Sequence, residues 1–359
     1  MIRDILNKET LEKEDILELL DCNEDEEKLL FLKANDIRDE YIGRKIFLRG
    51  LVEVSNVCSK NCYYCGIRAG NNKVQRYTIP EKEVIEAVSF AWEQGFGSVV
   101  LQSGEVENNR FTNYIGEIIR SSMDMSAGEL GLTLSCGEQS LDVYRFWREA
   151  GARRYLLRIE ASDPDLYAKL HPEDKHHDYG KRMGALHNLR LAGFQTGTGV
   201  MIGLPFQTKE HLVSDLLFMR DRDIDMVGMG PYVIHKDTPL YEHRHLVPSL
   251  QERIRLSLRM VAILRIMMKD INIASTTALS AIDPQGKIMG LKAGANVIMP
   301  NITPARYTAN YNLYDNKPYI DVYSNRTRIS FEEEIREAGF EIGYSERGDS
   351  LHYEKRMAT

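Results

Sequence analysis

Along most of this chain, short apolar runs alternate with longer stretches whose apolar positions recur at helical spacing. The apolar runs fall at residues 46–54, 98–103, 131–135, 154–162, 196–202, 225–233, 271–277 and 295–300, and they read as strands. Amphipathic stretches lie between them at 80–95, 109–124, 139–151, 178–193, 208–222, 250–269 and 284–293. Gly95, Gly151, Gly193 and Gly294 stand where helices stop. Ahead of the first strand, residues 1–45 read as helical, with Leu11, Ile16, Leu19 and Leu20 at helical spacing and a second stretch over 27–41.

Eight strand–helix units predict an α/β fold closed as a (β/α)8 TIM-type barrel. A doubly wound open sheet is the alternative. Strands of an open parallel sheet are covered on both faces and read as continuous Val, Ile and Leu. Here the fourth strand puts Arg154, Arg158, Glu160 and Ser162 on one face, and the seventh carries Ser275, Thr276 and Thr277. Such groups fit a barrel interior that holds water or ligand, or one in which Arg158 pairs with Glu160. The expected organisation is a helical extension over 1–45, a barrel over 46–310 and a short C-terminal cap over 311–359.

Composition narrows the function. At 43% hydrophobic and 28% charged, the 359-residue chain has the balance of a folded protein rather than a disordered one. Its 46 basic and 53 acidic residues leave a net charge of -7 with no basic stripe, which argues against nucleic acid and membrane as partners. No apolar run approaches the roughly 20 residues of a membrane span. Residues 1–25 lack the apolar core of a signal peptide, so a cytoplasmic protein is expected.

The cysteines are Cys22, Cys58, Cys62, Cys65 and Cys136. An odd count argues against a disulfide framework. Cys58, Cys62 and Cys65 form Cys-x3-Cys-x2-Cys directly after the first strand, at the end of the barrel that carries active sites. Three thiolates on one short loop can chelate a metal. A structural zinc site is closed by four ligands. Zinc would need a distant fourth here, such as Cys22 or a histidine. A four-iron cluster on three cysteines leaves one iron open to a substrate or cosubstrate. Incidental clustering of the thiols is the third reading.

This spacing, with Tyr64 before the last cysteine, resembles the signature of radical S-adenosylmethionine (SAM) enzymes. The resemblance continues through VEVSNVCSKNCYYCGIR (52–68), VVLQSGE (99–105), TLSCGE (133–138), RYLLRIEAS (154–162), TGTGVMIGLPFQT (196–208), DMVGMGPYVIHKDTPL (225–240), STTALSAI (275–282) and LKAGANVIMPNITPARY (291–307). Together these stretches are similar to the [FeFe]-hydrogenase maturase HydE family, a relative of biotin synthase and methylornithine synthase.

The resemblance implies a [4Fe-4S] cluster on Cys58, Cys62 and Cys65, with SAM on the open iron and cleaved to methionine and a 5′-deoxyadenosyl radical. On the SAM side it implies Tyr64 near the adenine, and Ser103, Gly104 and Glu105 at the amino group with Gln102 beside them. It also implies Ser135 at the end of strand three, Glu160 at the ribose hydroxyls and Arg182 at the carboxylate. Lys181 is the alternative to Arg182, because the stretch 173–182 is longer than the family pattern. A substrate cavity would take in Thr133, Arg154, Arg158, Thr276, Thr277 and Tyr307. Two arginines and several hydroxyls suit an anionic substrate. Met201, Met226, Met229 and Met299 read mainly as barrel core.

Two departures stand out. Residues 300–359 contain no cysteine, so no second cluster is expected. Strand four has Arg-Ile-Glu-Ala where the family pattern has Arg-His-Glu-Thr. The implied activity is radical attack on a cysteine-bound Fe(CO)2(CN) unit during assembly of a hydrogenase diiron site. Ferredoxin or flavodoxin would supply the electron, contacts with other maturases would be transient, and the protein would be a monomer in an anaerobic cell. Two alternatives stay open: a methylornithine-synthase-like mutase or maturase paralogue, and a non-catalytic iron–sulfur scaffold.

Overall fold

The computed structural model describes residues 2–315, 317 and 325–358. Eight strands are parallel and pair in chain order: β1 (Lys45–Ser55), β2 (Ser98–Ser103), β3 (Gly131–Ser135), β4 (Arg154–Leu156), β5 (Gln195–Thr198), β6 (Met226–Val227), β7 (Asn272–Ser275) and β8 (Val297–Ile298). The pairs Phe47↔Val297 and Leu48↔Ile298 close β8 onto β1, so the sheet is a barrel and not an open doubly wound sheet. Met201–Ile202 and Gly230–Pro231 pair beyond β5 and β6 and extend the wall toward the mouth. A further strand, β9 (Glu341–Ile342), joins the start of β1.

Helices Glu81–Glu93, Asn109–Met125, Leu141–Ala150, Tyr179–Leu191, Lys209–Asp221, Leu250–Met267 and Gly286–Lys292 follow β1 to β7 around the outside. Each turns an apolar stripe onto the outward side chains of the sheet. Leu141–Ala150 shows the economy of this pattern. Ser140 accepts the Val143 N–H and starts the helix. One turn apart, Tyr144 and Trp147 then pack on Tyr155 of β4 with ring centroids at 5.0 and 6.3 Å. Full burial of one such side chain contributes about 1.5–3 kcal/mol. Leu250–Met267 departs from amphipathicity and is buried on almost every face, because Lys13–Asp21 and Glu24–Tyr41 cover its outer side. Arg259 of that helix donates to the Leu20 and Cys22 carbonyls at 2.7 and 2.6 Å, satisfying the open end of Lys13–Asp21.

Strand four ends earlier than the apolar pattern predicts. Only Arg154–Leu156 forms a regular ladder. Glu160 then adopts a left-handed backbone, with φ at 61°, and touches β5's continuation through a single bridge to Val200. Ser162 consequently leaves the inward face, and its N–H donates to Asp215 at 2.7 Å. Among the described residues, no helix is long and apolar enough to cross a membrane.

The C-terminal residues close the floor of the barrel, the end opposite the cysteine loop. Arg154 donates to Thr133 at 2.9 Å and to Ser98, and it pairs with Asp349. Arg49 donates to the Gly348 carbonyl at 3.0 Å. Helix Leu351–Ala358 follows and is held by His352, which lies 2.5 Å from Asp223 and 3.1 Å from Asp270. Its hydrogen bond to Asp270 raises the His352 pKa, and the same contact holds Asp270 well below the usual carboxylate range. The His352 contribution to stability is complete below its unfolded pKa of about 6.5 and is lost as pH rises through the raised folded value. The Asp270 contribution is lost instead in acid. The excess melting temperature of the wild type over His352→Gln should therefore be largest near about pH 5–6 and narrow toward pH 9. A gap that does not change over this range in differential scanning fluorimetry would exclude the latch.

Candidate active site

The three cysteines sit on a loop fastened to the top of β1 and β2. Pairing of the two strands shifts register between Glu53 and Ser55, a bulge that turns the chain off the sheet. The Gly104 N–H then donates to the Ser55 carbonyl at 2.9 Å, and the Ser59 N–H to the Glu105 carbonyl at 2.8 Å. The Glu105 N–H lies 3.4 Å from the Cys58 sulfur. A side chain at Gly104 would place its Cβ 2.8 Å from Cys58 Cβ, so the Gly-Glu pair is first of all a seat for the loop. Arg76 gathers the Asn56, Ile67 and Arg68 carbonyls, each at 2.7 Å, and closes the other side.

All three thiols line one cavity of about 300 Å³ that runs from the loop into the barrel. Burial pushes the Cys58 thiol up. Burial and the neighbouring Cys58 push Cys62 to about 12, and burial with both neighbours raises Cys65 well above its usual value. Thiols in this setting become thiolates only beside added positive charge, which bound iron supplies. The donor set thus fits a metal cluster, with Cys58, Cys62 and Cys65 as its ligands.

Four buried charges stand beside the loop. Lys60 lies 2.9 Å from both Glu105 and Glu138. Arg182 lies 2.6 Å from Glu138 and 3.5 Å from Glu105. Burial works against the Arg182 charge, but the two glutamates outweigh it and raise its pKa. Lys181 lies 2.9 Å from Glu107 and 3.8 Å from Glu138 without lining the cavity, whereas Arg182 lines it.

On the opposite wall, the left-handed turn at Glu160 keeps its carboxylate on the cavity, where Arg158 holds both oxygens at 2.9 Å. The ion pair and the cavity position therefore coexist. A non-glycine residue at positive φ costs about 1–3 kcal/mol, and such strain concentrates at functional sites. Deeper in the barrel, Glu53 receives Asn301 at 3.1 Å and pairs with Lys317. Tyr311 meets Gln102 at 3.3 Å.

Of the residues singled out from sequence, Tyr64, Gln102, Ser103, Gly104, Glu105, Ser135, Arg158, Glu160, Arg182, Thr276 and Thr277 line this cavity with the three cysteines. Thr133, Arg154 and Tyr307 do not. Arg154 and Thr133 do point inward, but at the floor. Along β4 the inward column is Arg154, Leu156, Arg158, and only the last two reach the cavity. Tyr307 packs on Tyr77 at 4.9 Å outside it and donates to Glu83 at 3.3 Å. Met201 and Met299 line the cavity, while Met226 and Met229 are buried elsewhere in the core. Ile159 is core too, so the departure from the family's histidine lies off the cavity. Cys136 is fully buried and lies off it as well, with its sulfur 3.7 Å from the Leu101 carbonyl.

Glu53, Lys60, Asn301, Tyr311, Tyr314 and Lys317 add further polar side chains to the lining and escaped the sequence reading. Glu53 carried a signal, an acid in an apolar strand just before the cysteine loop. Lys317 carried none.

Removing one member of a buried charge set leaves its partners uncompensated, at about 3–5 kcal/mol. Arg182→Met should lower the melting temperature by several degrees, and adding Glu138→Gln should recover part of the loss. Strictly additive melting shifts in the double variant would separate the two residues.

The Radical SAM superfamily profile matches residues 52–219. The chain is 42% identical over 288 residues to the [FeFe] hydrogenase maturase subunit HydE of Thermotoga maritima, covering 80% of this chain and 79% of that protein. It is 27% identical to 3-methylornithine synthase of Methanosarcina acetivorans over 84% of this chain and 83% of the relative. The crystal structure of methylornithine synthase superposes with a TM-score of 0.79, at 22% identity, over 96% of this chain and 97% of the other, and shows the shared fold. With a cysteine-lined cavity at the mouth of its barrel, the chain is a radical SAM enzyme and belongs to the HydE family.

Proposed function

We propose that this enzyme is a HydE-type maturase whose substrate is a cysteine-bound Fe(CO)2(CN) unit, a precursor of the hydrogenase diiron site. The observation that carries this reading is the single cavity joining the three thiols to a polar barrel interior. When bound and reduced, the cluster supplies the electron that splits SAM into methionine and a 5′-deoxyadenosyl radical.

The chain's own residues bind, orient and exclude water. In this reading the Glu160 carboxylate accepts hydrogen bonds from the ribose hydroxyls, and Arg158 holds it in place for that task. Arg182 and Glu105 border the SAM carboxylate and amino group. Below them, Gln102, Arg158, Thr276 and Thr277 offer donors to an anionic substrate. Leu313, Tyr311 and Met299 wall this region and keep solvent from a radical that would otherwise be quenched. Ferredoxin or flavodoxin as electron donor, transient contact with other maturases, a monomeric state and the cytoplasm of an anaerobic cell complete the proposal.

The test is anaerobic reconstitution with iron and sulfide, followed by reduction, SAM addition and quantification of 5′-deoxyadenosine. The wild type should form it, and Cys62→Ala should not. Glu160→Gln should raise the SAM concentration for half-maximal rate about tenfold, the equivalent of about 1.4 kcal/mol from one charge-assisted contact. Consumption of the supplied iron complex supports the maturase reading. Deuterium exchange between 5′-deoxyadenosine and an amino-acid carbon instead would favour the mutase, and a loaded cluster without SAM cleavage the scaffold.

A further inference from the structure

The stretch between helix Pro164–Leu170 and helix Tyr179–Leu191 runs past the cysteine loop and turns His171 and His177 inward onto it. Four contacts join them in order. The Tyr63 N–H donates to the Leu170 carbonyl at 2.9 Å. The Tyr64 hydroxyl meets His171 Nε2 at 3.3 Å. The Lys60 ammonium donates to the His176 carbonyl. The Asn61 N–H donates to His177 Nε2 at 2.9 Å.

We propose that residues 170–178 clamp the cysteine loop, and that His177 is a positioning residue which fixes the backbone between Cys58 and Cys62. The inference rests on the reading of those cysteines as cluster ligands.

The Asn61 amide takes no part in a strand or helix ladder, and a buried N–H without an acceptor costs about 1–3 kcal/mol. Its acceptor is the His177 ring. An imidazole nitrogen accepts only through a free lone pair, so Nε2 carries no proton and Nδ1 does. Asp174 fixes this tautomer by accepting from Nδ1 at 2.7 Å, and it also takes the His176 N–H at 2.7 Å. The ring is buried and continues a column in which His171 lies 5.6 Å away and stacks on Tyr167 at 3.9 Å. Asn61 is pinned from the other side as well, since its Oδ1 accepts from the Gly70 N–H at 3.0 Å and from Arg68 at 2.9 Å. The backbone just ahead of Cys62 is therefore set by a side chain from a different part of the chain, not by the barrel.

The experiment compares reconstituted wild type, His177→Ala, His177→Gln and Asp174→Asn. It measures the rate of iron release to a chelator, the midpoint potential of the cluster and the melting temperature of the metal-free protein. His177→Gln keeps an acceptor within reach of the Asn61 N–H. Asp174→Asn leaves the ring in place and loosens its tautomer, so it carries the test should His177→Ala not fold. Iron release should be about five- to tenfold faster in His177→Ala, about two- to threefold faster in Asp174→Asn and within about twofold of wild type in His177→Gln. The cluster potential should shift in the alanine variant and return with glutamine. Release from both His177→Ala and Asp174→Asn within about twofold of wild type overturns the proposal, as does a glutamine variant as labile as alanine. A wild type that takes up no four-iron cluster overturns the reading of the cysteines and this inference with it, a result distinct from either.

Discussion

Sulfur buried beside sulfur cannot ionise without a nearby cation, and the mouth of this barrel is arranged around that fact. Cys58, Cys62 and Cys65 are all raised by burial, Cys62 also by Cys58, and Cys65 by both of the others. The adjacent cations do not resolve the difficulty, because Lys60 and Arg182 are matched by Glu105 and Glu138. That quartet is neutral in sum. A bound metal would bring the missing positive charge, which is why the three thiols fit a cluster better than three thiolates standing alone.

The barrel then separates its two ends by height. Inward columns on β1, β2 and β4 run from Arg49, Ser98 and Arg154 at the floor through Leu51, Val100 and Leu156 to Glu53, Gln102 and Arg158 around the cavity. A layer of apolar side chains thus lies between two polar ones, as in the stacked interiors of such barrels. The lower polar layer is closed by the C-terminal segment, which leaves the cavity to open at the mouth. Polar residues in the strands are needed at both levels, but for different ends.

Much of this was legible in the residues. The runs 98–103 and 131–135 form strands over the same residues, because both are continuous, buried and bounded by turn residues. The cysteine spacing pointed to one loop, because ligands close in sequence suit short-range chelation, and the folded chain gathers its three thiols on one cavity. What failed was height and long-range geometry. Period-two alternation tells which face Arg154 occupies, but not that it sits a full layer below Arg158. Backbone handedness at Glu160 escaped too, because glutamate has no special preference for positive φ. Lys317 was invisible because its partner Glu53 lies 264 residues earlier. The contacts of residues 170–177 with the cysteine loop were not legible either, because they join positions more than 100 residues apart.

The closing of the barrel floor also has a direction in time. Arg154 finds Asp349 across 195 residues, and Arg49 finds Gly348 across 299. A chain emerging from the ribosome carries its cysteine loop long before the segment that its two floor arginines await. Burial lowers the pKa of both arginines, and the Asp349 carboxylate opposes that effect on each. Until it arrives, the barrel can be paired strand by strand but not sealed. Contacts this distant are slow to form and leave the partly made chain exposed in the interval. The segment around Asp349 therefore acts as a late stave of the barrel, and its arrival marks the point at which a nascent chain becomes an enclosed vessel.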